Sequence, residues 1–177
     1  MPSFTRGIVV ASYRKKLCML GAAGVGKTSL VERYVAGTFS DRYVATVGTK
    51  VDRTIITLGF DAVSVMLWDL PSADPAEETR LRYLQGAAGY LLVVDGTRAE
   101  TLEHALRLHA SAHATLGDVP FAVVLNKADL APQWTVDGEA VDALAARGWA
   151  VHMTSAKGGE GVVEAFETLA RQVIGAP

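Results

Sequence analysis

The stretch GAAGVGKTS, residues 21–29, matches the phosphate-loop pattern G-x-x-x-x-G-K-[ST]. The apolar run KKLCML before it predicts a strand, and the residues from Lys27 onward predict a helix. The glycines let successive N–H groups turn inward at the start of this helix, where they can bind phosphate. Lys27 is expected on the β- and γ-phosphates and the Thr28 hydroxyl on Mg²⁺. This loop predicts a nucleoside triphosphate site and leaves the base open.

Outward from the loop, apolar runs alternate with helix-period segments. This rhythm predicts an α/β fold, a mostly parallel six-stranded sheet with helices on both faces. We expect one domain over residues 1–177, with an N-terminal extension at 1–13. The predicted strands are 16–20, 50–58, 62–69, 90–95, 121–126 and 149–153, and the predicted helices are 27–35, 100–115, 137–147 and 162–174. In the last helix, the side chains expected to face the sheet are Val163, Phe166, Leu169, Ala170 and Val173.

Composition limits the partners and the compartment. A net charge of −2 gives no general attraction to nucleic acid or anionic lipid. Cys18 is the single cysteine, so no disulfide can form within the chain, which fits a reducing cytoplasm. Pro2 and the cysteine-free end RQVIGAP carry no lipidation motif. We therefore expect a cytoplasmic protein with no nucleic-acid partner and no direct lipid anchor.

The string NKAD, residues 126–129, follows the strand FAVVL and selects the base. The Asp129 carboxylate can accept hydrogen bonds from the ring N1–H and the exocyclic amine of guanine. Adenine would leave this carboxylate, expected to be buried, without a partner. Asn126 is expected to brace the loop, and the Lys127 stem to lie along the base. In TSAK, residues 154–157, the Ala156 N–H can reach the guanine carbonyl oxygen.

Together, GAAGVGKTS, TVG, WD, NKAD and TSAK resemble the Ras/Rab superfamily of small GTPases over nearly the whole chain. The resemblance implies a small G domain that binds GTP or GDP with Mg²⁺. It also implies that Phe39 packs against guanine, that Tyr43 covers the phosphates, and that Thr46 is the switch threonine on Mg²⁺. The alternative, Thr49, fits the TVG context less well. Thr28, Thr46 and Asp69 are the expected metal ligands.

The complete set of predicted nucleotide-binding residues follows from these motifs. It comprises Ala23, Gly24, Val25, Gly26, Lys27, Thr28, Ser29, Phe39, Tyr43, Thr46, Asn126, Lys127, Asp129, Leu130, Ser155, Ala156 and Lys157. Lys27, Thr46 and Ser72 are the candidate catalytic residues.

The segment after the strand VSVMLWD departs from the family pattern, which is D-x-x-G followed by a water-orienting glutamine. Here Ser72 replaces the glycine and Ala73 replaces the glutamine, after Pro71. Ala73 cannot align a water, so we expect slow intrinsic hydrolysis. Ser72 still offers its backbone N–H to the γ-phosphate. Ala23 stands where the related Ras proteins have glycine, and its methyl group could crowd an incoming arginine finger.

Three functions remain open. The first is a GTP/GDP switch and slow GTPase that needs a GTPase-activating partner and meets that partner, an exchange factor or an effector through residues 39–50 and 70–84. The second is a GTP-loaded, hydrolysis-deficient interaction module. The third is an ATP-dependent phosphate-loop enzyme, which Asn126 and Asp129 oppose. His109 and His113, four residues apart on a helix, have zinc spacing but are interpreted as exposed surface residues.

Overall fold

The computed structural model describes residues 14–72 and 77–175, with backbone alone at residues 77–79. The predicted N-terminal extension and the substituted Ala73 lie outside these ranges. The strands are β1 (Arg14–Leu20), β2 (Lys50–Leu58), β3 (Asp61–Asp69), β4 (Gly89–Asp95), β5 (Phe121–Asn126) and β6 (Ala150–Met153). The helices are α1 (Lys27–Ala36), α2 (Glu77–Leu84), α3 (Glu100–Leu116), α4 (Gly138–Ala146) and α5 (Val162–Ile174), with a 3₁₀ turn at Ala128–Gln133.

The strands form a six-stranded sheet in the order β2-β3-β1-β4-β5-β6. β2 runs antiparallel to β3, and the other neighbours pair in parallel. The predicted fold class is therefore confirmed. Short β-branched and leucine-rich strands, covered on both faces, explain why β4 is buried along its whole length.

Alternation along the strands divides the core between the two faces of the sheet. In β1, Leu17 and Met19 pack with α1 and α5, whereas Cys18 and Leu20 pack on the face covered by α3 and α4. One expectation for α5 is wrong, because Val163 is 49% exposed. The buried stripe runs through Val162, Ala165, Phe166, Leu169 and Ala170. Val163 lies about 100° further round the helix than Val162, which turns it toward solvent.

The parallel strands place their carboxyl ends at one edge of the sheet, where open α/β sheets bind ligands. β1 leads into the phosphate loop, β3 ends at Asp69, β4 at Asp95 and β5 at Asn126. Sequence-distant polar residues are thereby brought side by side. Within residues 14–72 and 77–175, no helix is both long and apolar enough to cross a membrane.

Candidate functional site

A cleft of about 520 Å³ opens at this edge of the sheet. Ser72 and all the predicted nucleotide-binding residues except Val25 and Ser155 line it. Val25 is buried in the core, and Ser155 is buried beneath the cleft wall. The lining also includes residues that the sequence did not single out, namely Glu32, Ser40, Asp41, Arg42, Val44 and Ala45.

The phosphate loop wraps the first turn of α1, whose N-terminus opens into the cleft. Gly24 and Gly26 have φ values of 73° and 101°, in the left-handed region that a side chain disfavours. The Asn126 amide packs directly against Gly26, so a larger residue there would collide with it. The loop and the positive end of the α1 dipole thus form the kind of cradle that binds phosphate.

Lys27 lies beneath this loop and is 5% exposed. Its ammonium donates to Gly21 O at 2.9 Å, to Ala22 O at 3.1 Å and to Ser72 Oγ. Burial lowers the pKa of Lys27 to about 8, against an opposing effect of the Asp69 carboxylate. A buried cation at the base of the cleft favours a multiply charged anion.

Three oxygen-bearing side chains meet next to Lys27. Thr28 Oγ1 lies 2.7 Å from Thr46 Oγ1 and donates to Asp69 Oδ2. Asp69 is fully buried, and its Oδ1 has no hydrogen-bond partner among the described residues. Burial raises the pKa of Asp69, although the bond from Thr28 opposes this. Two hydroxyls and a carboxylate with an unpaired oxygen fit the oxygen preference of Mg²⁺.

The geometry also separates the two threonine candidates in the loop of residues 39–50. Thr46 contacts Thr28, whereas Thr49 does not line the cleft. The Thr49 hydroxyl is buried without a hydrogen-bond partner among the described residues. Thr46 is thus the threonine that this structure brings to the expected metal ligands.

At the other end of the cleft, Asn126 connects three segments of the chain. Its Nδ2 donates to Val25 O at 2.9 Å, and its Oδ1 accepts from Thr154 Oγ1 at 3.1 Å and from Ala156 N at 3.2 Å. Asn126 therefore ties the phosphate loop to both segments of the base end. The Ala156 N–H that we assigned to guanine is donated to this amide in the structure.

Asp129 lines the cleft, and its Oδ1 accepts a hydrogen bond from Ser155 Oγ at 2.8 Å. The expectation that this carboxylate is buried is wrong, because Asp129 is exposed on the cleft wall. It lies in the first turn of the short 3₁₀ segment Ala128–Gln133, where its side chain is open to solvent. Discrimination against adenine by an unpaired buried carboxylate therefore requires that the base itself cover Asp129.

Sequence reasoning missed the hub at Asp95, which ends β4 and is 1% exposed. Asp95 Oδ2 pairs with Lys127 Nζ at 2.7 Å and with Arg98 Nε at 3.0 Å. Arg98 Nη2 in turn donates to Ala23 O at 2.8 Å. Burial raises the pKa of Asp95, but hydrogen bonds from Lys127, Thr97 and Arg98 outweigh it, so the net shift is downward. The signal in the sequence was an acidic residue closing an apolar strand.

The loop of residues 39–50 covers the cleft from outside. Tyr43 lies over the phosphate loop, since a Cβ placed on Gly24 would be 3.6 Å from Tyr43 Cε2. Phe39 lines the cleft while packing on the core. Lys157 Nζ lies 3.6 Å from Asp41 Oδ1, which joins this loop to the base end.

The interpretation of His109 as an exposed surface residue is wrong. Its Nδ1 lies 3.0 Å from Tyr90 Oη, and its ring packs against Phe121 and Trp149. Helical periodicity could not reveal this, because the aromatic partners come from β4, from β5 and from the residue just before β6. In the described ranges, no three His, Cys, Asp or Glu side chains form a metal-binding group.

Comparison with known proteins identifies the family. A family model described as Ras family matches residues 16–175. The chain belongs to the Ras family. It is 32% identical over 162 residues to Ras-related protein Rab-13 of Bos taurus, covering 90% of this chain and 79% of that protein. It is 30% identical over 166 residues to Ras-related protein Rab-21 of Geodia cydonium, covering 93% and 72%. Ras-related protein Rab-8B of Homo sapiens is 30% identical over 169 residues, covering 92% and 79%.

Family membership fixes the general activity. Ras-like proteins are small GTPases, switches that bind GTP or GDP with Mg²⁺ and work through regulators and effectors. Membership does not fix the hydrolysis rate or the partners of this chain.

Proposed function

We propose that this Ras family chain is a GTP/GDP switch that hydrolyses GTP slowly by itself and depends on a GTPase-activating partner. The observation that supports nucleotide binding is one cleft with two chemically different ends. Lys27, Thr28 and Thr46 stand at one end, and Asn126 and Asp129 stand at the other. A guanine nucleotide matches both ends, because its phosphates are anionic and its base can donate hydrogen bonds to Asp129.

In this proposal, the phosphate loop and Lys27 bind the phosphates, and Thr28, Thr46 and Asp69 hold Mg²⁺. Bound Mg²⁺ supplies charge neutralisation at the phosphate oxygens. Asp129 accepts hydrogen bonds from the guanine N1–H and amine, while Ser155 fixes its other side. Asn126 orients both ends of the cleft without itself having to touch the nucleotide.

The slow rate follows from Ala73, which takes the place of the water-orienting glutamine. A methyl group cannot accept or donate a hydrogen bond to the attacking water. Intrinsic hydrolysis in Ras proteins with the glutamine is on the order of 10⁻⁴ s⁻¹. We therefore expect this chain to be at least about tenfold slower. A partner must then supply the missing group in trans.

The partner surface that we propose comprises residues 39–50 and 70–84. In the first of these, Tyr43, Val44 and Val47 are large apolar side chains exposed to solvent, and Val47 is 97% exposed. This segment also carries Thr46. A change at the phosphate end of the cleft can therefore alter the surface that a regulator or effector contacts.

Two measurements test the proposal. Competition binding should show GTP and GDP bound in preference to ATP and ADP, and a lack of this preference would contradict the base assignment. Single-turnover hydrolysis should be slow in the wild type and rise roughly tenfold or more in Ala73→Gln, which restores a group able to orient water. Ala110→Gln, at an exposed position on α3, is the matched control.

The second candidate is a GTP-loaded interaction module, which Ala73 also favours. It predicts undetectable wild-type hydrolysis and GTP in the purified protein. A wild-type rate equal to that of Ras proteins with the glutamine would contradict both candidates.

A further inference from the structure

The ammonium of Lys27 has three N–H donors, and in this chain each has a protein acceptor. Two are the loop carbonyls of Gly21 and Ala22, and the third is the Ser72 hydroxyl. The lysine is almost completely shielded from solvent. Its hydrogen-bonding capacity is therefore filled before any phosphate arrives.

The third acceptor exists because position 72 carries a side chain. The family pattern has glycine at this position, and glycine has no hydroxyl. The backbone that presents Ser72 is anchored, since Leu70 is buried and Asp69 pairs with Met19 between β3 and β1. Pro71 further fixes its own φ near −65°. The hydroxyl is thus held beside Lys27 by the fold.

The three acceptors differ in what a ligand can do to them. The two carbonyls belong to the phosphate loop itself, which a bound phosphate contacts as a whole. Ser72 lies three residues after the end of β3 and lines the cleft beside Lys27, Thr28 and Thr46. It therefore stands at the phosphate end, on the side of the expected metal ligands.

We propose that the Ser72 hydroxyl is a specificity determinant that favours a nucleoside diphosphate over a triphosphate by competing with the terminal phosphate for the Lys27 ammonium. The inference rests on the proposed function, in which this cleft binds guanine nucleotides. With a diphosphate, the β-phosphate takes one N–H of Lys27 in place of a loop carbonyl, and Lys27 keeps Ser72 as a partner. With a triphosphate, the γ-phosphate needs a second N–H, the one that Ser72 accepts, and the hydroxyl loses its charged partner.

This competition has a direct consequence for the occupancy of the switch. Slow hydrolysis alone lets the GTP form accumulate. An opposing preference for GDP keeps the resting protein in the diphosphate form, so that loading with GTP depends on nucleotide concentration or on an exchange factor.

The test compares wild type, Ser72→Ala and Ser72→Gly as full chains with saturating Mg²⁺. The Kd values for GDP and GTP are measured for each by fluorescent-nucleotide competition. We expect the ratio of the GTP Kd to the GDP Kd to fall about tenfold in both variants. Without the hydroxyl, no side chain competes with the γ-phosphate for this hydrogen bond from the charged Lys27. The GDP Kd should change by less than about threefold. Ser64→Ala, on β3 but outside the cleft, is the matched control.

Each other outcome is decisive. An unchanged ratio in Ser72→Ala overturns the inference, even if Ser72→Gly changes it, because backbone freedom rather than the hydroxyl would then be responsible. A raised ratio also overturns it and shows that the hydroxyl donates to the γ-phosphate. If the wild type binds neither guanine nucleotide, the proposed function fails together with the inference. If it binds both with an unchanged ratio in Ser72→Ala, the inference alone fails.

Discussion

The two ends of the cleft are built differently. At the base end, Asn126 is 2% exposed, and hydrogen bonds from Thr154, Ser155 and Ala156 join its segments into one network. At the phosphate end, the loop of residues 39–50 is largely exposed and is joined to the body through Phe39, Asp41 and Thr46. Hydrogen bonds within the protein thus hold the base end in place. At the phosphate end, the contact through Thr46 uses the same groups that are expected to bind the metal ion.

This difference explains how one protein can be both selective and switchable. A preorganised base end binds without reorganisation, so its contribution to affinity is the same in both nucleotide states. A sparsely bonded loop can change its arrangement when the terminal phosphate changes. The experiments below test this division, beginning with the largest expected effect.

Replacing the base-reading carboxylate should have the largest effect. Asp129→Asn should reduce the preference for GDP over ADP by about 10²-fold or more, because an amide cannot accept two hydrogen bonds from guanine in the same way. Competition binding with both nucleotides measures the change. Asp118→Asn, at a side chain that is 99% exposed and outside the cleft, should leave the preference intact. A retained preference in Asp129→Asn would remove the base end from specificity.

Removing the ion pairs of Asp95, which lies beneath both ends of the cleft, should have the next largest effect. Asp95→Asn should lower the free energy of unfolding by about 2 kcal/mol at pH 7, since Lys127 and Arg98 lose their charged partner while remaining partly solvated. The pKa of Asp95 is lowered in the folded protein. Its stabilisation is therefore present above the ordinary carboxyl pKa of about 4 and is lost as the pH falls through the lower folded value.

Urea unfolding at several pH values measures this effect. The difference between wild type and Asp95→Asn should shrink below about pH 4. Asp142→Asn, exposed on α4, serves as the control. A difference that is constant with pH would show that the charge of Asp95 is not what stabilises the hub.

The smallest effect should separate the two threonines in the loop of residues 39–50. Thr46→Ala should weaken Mg²⁺-dependent GTP binding about tenfold, because it removes one hydroxyl from the expected metal ligands. Thr49→Ala should leave GTP affinity unchanged. Both variants should bind GTP alike once Mg²⁺ is chelated. The reverse order of effects would assign the switch role to Thr49.

The sequence predicted the parts whose signals are local. The phosphate loop, NKAD and TSAK are contiguous motifs, and the apolar runs located the strands to within two residues. The errors arose where contacts between distant parts of the chain decide a side chain's partners and its burial. Asp95 and Arg98 act through partners far along the chain, and His109 packs against aromatic residues that lie in or beside neighbouring strands. The exposure of Asp129 depends on the 3₁₀ turn that contains it, and that of Val163 on where α5 meets the sheet.

The single amide of Asn126 has a consequence for ligand shape. Its side chain bonds to the phosphate loop on one side and to the 154–156 segment on the other. The distance between the phosphate end and the base end of the cleft is therefore set by the protein and not by the ligand. A ribose of fixed length matches such a span without further ordering. An analogue of GDP with an open-chain linker in place of the ribose would have to adopt this one length on binding. It would lose more conformational entropy than GDP and bind with lower affinity.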